Sequence, residues 1–154
     1  MSSWSGLIVP EHCKAKVLFV ATAPLEGERE PLTGAAGREL DRVFKLAGLV
    51  RKDHAFTTVF DRPIPGNDLE NITVATVEKN AKVKEGEWAD YDVPAIKRGR
   101  WLLPEWDSRA RLADEIKRVN PNLLVPLGDE ALWAVTGESG IGKVRGAIGM
   151  AEAP

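Results

Sequence analysis

One cysteine, two histidines and no apolar run of membrane-spanning length set the first limits on this 154-residue chain. Cys13 alone cannot close an internal disulfide or supply a four-thiolate iron–sulfur cluster. It fits a reducing compartment or a fold indifferent to redox. His12, Cys13 and His54 do not make a set with metal-ligand spacing, so no metal or other cofactor is expected. Neither sign of charge dominates: 21 basic and 23 acidic side chains, mixed through both halves, leave a net charge of −2. Attraction to nucleic acid must therefore come from a local patch. The first residues, MSSWSGLIVPEHC, lack the charged-then-apolar pattern of a secretory signal, and the cytoplasm is the expected location, with no membrane partner. Repeats and low-complexity tracts are absent too.

What remains is a chain of ordinary apolar content, 44% hydrophobic, sized for a single domain over 1–154 with a real core. Its most informative stretch is residues 16–48, KVLFVATAPLEGEREPLTGAAGRELDRVFKLAG. Val17, Leu18, Phe19 and Val20 form the continuous apolar run of a parallel strand covered on both faces. Leu40, Val43, Phe44 and Ala47 follow at helical spacing and are expected to face inward. Arg38, Glu39, Asp41, Arg42 and Lys45 take the other side, and Gly48 stands where a left-handed cap ends a helix. The loop between them lies at the carboxyl end of a strand, where open α/β sheets place their ligands.

Further on, 55–60 reads as a second strand, and the prolines and glycine of 62–67 as loop. Residues 70–106 carry little pattern and read as an insertion with partial structure, a lid being one form of it. Asp107 or Ser108 caps a helix running to 119, with Leu112, Ile116 and Val119 inward and Pro121 beyond its end. Residues 123–127 form a third buried strand; Gly128 opens a loop, and 130–135 is a short helix with Trp133 in the core. The alternation predicts a three-layer α/β/α fold around a parallel sheet.

Two nucleotide-binding readings fail on their residues. GESGIGKV at 137–144 nearly fits a phosphate loop, but Val144 replaces the hydroxyl that would hold magnesium. The first strand is not followed by the Gly-x-Gly-x-x-Gly turn of a dinucleotide site.

Four stretches in order carry a resemblance: the strand, Ala-Pro turn and PLTGAAG loop of 16–48, FTTVFDRPIPGN at 56–67, NPNLLVPLGDEALWAVTG at 120–137, and IGKVRG at 141–146. Together they resemble the uracil-DNA glycosylase superfamily, in particular its bacterial and phage branches. The resemblance implies a DNA glycosylase that hydrolyses the N-glycosidic bond of uracil, or a related base, flipped out of DNA for base excision repair. DNA, uracil-containing or single-stranded, is then the partner. The pocket it implies is built from Ala21, Thr22, Ala23, Pro24, Leu32 and Thr58.

This sequence also departs from the family's pattern. Members commonly have Gly-Glu-Ala-Pro-Gly where this chain has Ala21-Thr22-Ala23-Pro24-Leu25, so Thr22 takes the acidic, water-positioning place. Its hydroxyl can hold a water but cannot act as a base at neutral pH. Glu26 and Glu28 lie nearby and read as solvated loop carboxylates. Leu32 stands for the stacking ring, and Thr58, after Thr57, for the base-reading asparagine. Asn67 either compensates from the next loop or serves turn geometry. His54 reads as a surface residue, and neither histidine matches the family's C-terminal one. The expected alternatives are a catalytically inactive member that binds DNA or a protein partner, a domain lacking its last strand, and a fragment of a longer parent. An unpaired sheet edge left by a missing strand predicts poor solubility.

For DNA binding, Gly34, Ala35, Ala36 and Gly37 at a helix start read either as a phosphate site or as small residues for close packing. Lys143 and Arg145 match backbone contacts of the family. Lys97, Arg98 and Arg100 beside Trp101 form either a basic–aromatic patch for DNA or a solvated loop.

Overall fold

The central strand of the sheet is the one whose residues are covered on both faces. In a computed structural model that describes residues 5–136, the elements in chain order are β1 (Val17–Ala21), α1 (Ala35–Ala47), β2 (Ala55–Thr58), β3 (Thr73–Ala75), α2 (Thr76–Lys84), β4 (Arg100–Leu102), α3 (Arg109–Val119), β5 (Leu123–Pro126) and α4 (Asp129–Thr136). β1 pairs in parallel with β2 on one side and β5 on the other, giving the order β2-β1-β5. Leu18 and Val20 point to one face and pack with Leu112 and Val119 of α3 and with Trp133 of α4. Phe19 and Ala21 point to the other and pack with Phe44 of α1 and with Phe56. Alternation along one strand thus fills two apolar layers, each fully buried large side chain contributing ~1.5–3 kcal/mol. The fold is α/β, a parallel central sheet between helices, as the sequence implied.

Local signals set the element ends. α1 stops where Gly48 turns left-handed at φ 72°, and the N–H of Leu49 returns to the Phe44 carbonyl at 2.8 Å. α3 stops at Asn120, also left-handed, with Pro121 next. Past Thr58 the chain stays tied to the sheet: the N–H groups of Val59 and Phe60 donate to the carbonyls of Ala21 and Thr22, both at 2.9 Å. On the outer edge of β2, Ile8 forms a single antiparallel bridge, exchanging both backbone hydrogen bonds with Phe56. Among the described residues, β5 pairs with β1 alone.

Two expectations are corrected. His54 is not a surface residue: it is buried, its ring edge-on to both Phe19 and Phe44 at centroid distances of 5.9 and 5.7 Å. Of Leu40, Val43, Phe44 and Ala47, expected to face inward, only Phe44 is deeply buried, while Val43 and Ala47 are exposed, because the sheet covers a stripe narrower than the apolar one. The pattern-poor segment 70–106, expected to carry partial structure, holds β3 and β4, an antiparallel pair, with α2 between them. Its Ile72, Val93, Ile96, Leu102 and Trp106 join the same core as Leu18 and Val20.

Within that segment, the Tyr91 hydroxyl donates to the Leu102 carbonyl at 2.8 Å, and its ring stacks on Trp88. Burial, then the negative charge of Asp107, pushes the phenol up to about 12. The neutral form is favoured in the fold, so its contribution to stability is complete below the phenol's unfolded value near ~10. It is lost as pH rises from there through about 12. A spectrophotometric titration of this single tyrosine is expected to show phenolate appearing two units late, together with a fall in melting temperature over the same window.

Candidate active site

Strand order fixes where a ligand can lie. The chain leaves β1 toward β2 and returns through α3 to β5 on the opposite side, so the loops after these strands diverge at the carboxyl end of β1. A cavity of about 440 Å³ opens there, within the ~300–1,000 Å³ common for small-molecule sites. Ala21, Thr22 and Ala23 supply its wall from the turn after β1, and Leu32 from the loop before α1. Leu40 and Val43 line it from α1, which gives the exposed Val43 a place to face. Ile64 and Asn67 come from the loop after β2, and Leu127 from the end of β5. The lining is largely apolar with a few polar groups, the usual make-up of a small-molecule site.

Of the residues expected to form the pocket, four are brought together here: Ala21, Thr22, Ala23 and Leu32. Pro24 is buried but does not wall the cavity. Thr58 does not wall it either: it is 2% exposed, and its hydroxyl donates to the Phe60 carbonyl at 2.6 Å. Its neighbour Thr57 donates at 2.6 Å to Glu115, whose carboxylate also takes an ion pair from Arg111 at 2.7 Å. Arg111 in turn donates to the Thr58 and Val59 carbonyls, both at 2.7 Å. The threonine pair is thereby occupied with holding α3 under the end of β2. The polar residue that the loop after β2 contributes to the lining is Asn67, exposed and held at φ 52°.

Glu28 is not a solvated carboxylate. It accepts from the Leu25 N–H at 2.6 Å, the Thr33 N–H at 3.1 Å and the Gly34 N–H at 2.6 Å. These bonds fold residues 25–34 back on themselves ahead of α1. The Gly34 N–H, considered above as a phosphate donor, already holds an anion from within the chain. Ala35 begins the helix. Leu32, in this clamped loop, adopts φ 58°, a strained conformation for a bulky side chain. Its carbonyl lies so close to Gly37 that no Cβ fits there. Small residues at this helix start thus serve close packing at Gly37. Glu39, at the cavity rim, bonds Arg42 at 2.6 Å, and that hydrogen bond and the opposite charge hold its carboxyl below the usual range.

On the opposite side of the cavity, the Thr22 hydroxyl donates to Glu130 in the first turn of α4 at 3.4 Å. This contact joins residues 108 positions apart, so no local spacing could have announced it.

The basic–aromatic patch is built differently from expectation. Arg100 is turned to the backbone, bonding the Thr73 hydroxyl and carbonyl, while Lys97 and Arg98 remain exposed. The cations over aromatic faces are Lys79, 4.2 Å from the Trp101 ring centre, and Lys82, 5.2 Å from that of Trp88. Lys143 and Arg145 lie outside the described residues, as does the segment considered above for the family's C-terminal motif. Among the described residues no group of three or more His, Cys, Asp or Glu side chains could hold a metal ion, and no helix is long and apolar enough to cross a membrane.

No curated protein matches the chain. A family model does: that of the uracil DNA glycosylase superfamily, matched over residues 10–151. That match spans every element of the sheet, the loops that wall the cavity and the Thr22–Glu130 contact, and on it this chain belongs to the uracil DNA glycosylase superfamily.

Proposed function

We propose that this protein is a DNA glycosylase that hydrolyses the bond between deoxyribose and uracil, or a closely related base, extruded from DNA. The observation that carries the reading is the cavity at the carboxyl end of β1, where superfamily membership meets a volume and lining suited to one flat base. Leu32, Leu40, Val43 and Leu127 offer apolar contact to the ring. Asn67 offers a donor and an acceptor in one plane, the chemistry a pyrimidine edge pairs with. Thr22 places a hydroxyl at the position the family gives to an acid. Lys143 and Arg145, by resemblance, hold the DNA backbone, and Lys79, Lys97 and Arg98 add positive charge around Trp101.

Incubation with a uracil-containing oligonucleotide, followed by alkali, tests the reading. Strand cleavage at the uracil is the expected result; an intact strand at high protein concentration overturns it. Salt-dependent DNA binding without base release would instead assign the surface to binding alone. Given activity, Asn67→Ala is expected to lower kcat/KM for uracil roughly 10- to 100-fold, the loss from leaving a buried base edge unpaired. Equal activity of the wild type on uracil and on cytosine, which carries an amino group and an unprotonated N3 on the same edge, would show that the edge is not read.

A further inference from the structure

Hydrolysis of an N-glycosidic bond needs a group that orients water and takes its proton, and the Thr22 hydroxyl cannot take a proton at neutral pH. Four carboxylates stand around the loops of the cavity. Glu26 is exposed and is not tied to any residue of the lining. Glu28 is engaged by three backbone N–H donors, and Glu39 by Arg42. Glu130 differs. Among the described residues its partner is the Thr22 hydroxyl, at 3.4 Å, long beside the ~2.7–2.8 Å typical of O–H···O bonds and easily exchanged for a shared water.

Gly128 keeps this pair uncovered. It sits at φ 112°, and a Cβ there would stand 3.5 Å from the Thr22 oxygen and 3.9 Å from the Glu130 carboxylate. Any side chain at 128 would therefore lie across both oxygens in a backbone conformation that favours glycine. The helix that carries Glu130 is well anchored, since Ala131, Trp133, Ala134 and Val135 of its next turns are each no more than 2% exposed. Glu130 stands one contact behind the cavity wall: it is a part-buried carboxylate on an immobilised helix, reached from the cavity through the Thr22 hydroxyl that does line it, so a water held between the two would sit at the cavity's edge.

We propose that Glu130 supplies from α4 the carboxylate that position 22 lacks, and that Thr22 and Glu130 together hold the attacking water. This rests on the glycosylase reading above. In the step, the water oxygen bonds to the anomeric carbon of the sugar as the carbon–nitrogen bond breaks. The electron pair of that bond leaves with the base, and the water's proton passes to the Glu130 carboxylate.

Single-turnover excision from a uracil-containing oligonucleotide is measured for wild type, Glu130→Gln and the exchange variant Thr22→Glu/Glu130→Thr. Glu130→Gln is expected to slow excision roughly 100-fold or more, with melting temperature and DNA affinity unchanged. The exchange variant, which returns a carboxylate to position 22, is expected to regain at least about tenfold of the loss. Should Glu130→Gln melt early, Glu130→Ser, which retains an oxygen, carries the same test. A wild type that excises uracil beside a Glu130→Gln variant within about threefold of it overturns this proposal and leaves the glycosylase reading standing. A wild type that excises nothing overturns both.

Discussion

Gly37→Ala is expected to destabilise the protein by about 3 kcal/mol, the upper part of the usual range for overpacking, and to abolish the cavity as it now stands. The added Cβ would overlap the carbonyl carbon and oxygen of Leu32. These are backbone atoms, so no side-chain rotation relieves the clash. The loop ahead of α1 must move, and with it the Leu32 side chain that walls the site and the Glu28 clamp that holds Thr33 and Gly34. Thermal melts and ligand or substrate binding check this together: the melting temperature should fall by roughly 6–12 °C, at the ~2–4 °C per kcal/mol of a chain this long. An alanine variant with wild-type melting and wild-type binding would show that the loop tolerates displacement.

Glu115→Ala should cost a comparable amount, about 3 kcal/mol, the lower end for breaking a buried ion pair, because the Arg111 side chain keeps 33% of its surface in solvent. Glu115 is 5% exposed and accepts from both Thr57 and Arg111. Without it, the Thr57 hydroxyl is left unpaired in the core, and Arg111 keeps its charge with only backbone carbonyls as partners. Removing all three polar partners at once, through Glu115→Leu, Arg111→Met and Thr57→Val, is expected to recover much of the loss, since the ions no longer need solvation. Chemical denaturation of the single and triple variants decides it. A triple variant no more stable than the single one would locate the cost in packing instead.

Much of the scaffold was legible because each of its elements carries a local signature. The apolar run of β1, the helical spacing around Phe44, and the stops at Gly48 and Pro121 are all properties of a few consecutive residues. The three-residue strands β3 and β4 carry no such period, and the polar stretch between them hid their contribution to the core. His54 was misread for a related reason: nothing in its neighbours reveals that Phe19 and Phe44 close around it. The site was legible where it follows the end of β1, at Ala21–Ala23, and at Leu32. It was not legible at Thr58, whose hydroxyl bends to its own chain two residues on. Nor could sequence show Glu28 gathering amides, or Glu130 meeting Thr22, since both depend on how distant loops fold over one another.

The bridge that Ile8 makes to β2 has a consequence for how the sheet can grow. Among the described residues the outer flank of β2 carries that bridge at Phe56, while the outer flank of β5 at Leu123–Pro126 carries no partner, and Leu123 there is 58% exposed. Leu127 and Gly128 follow immediately, so the depth to which an incoming strand slides would retune the mouth of the cavity from outside. Shape and assembly are, at that one margin, the same variable.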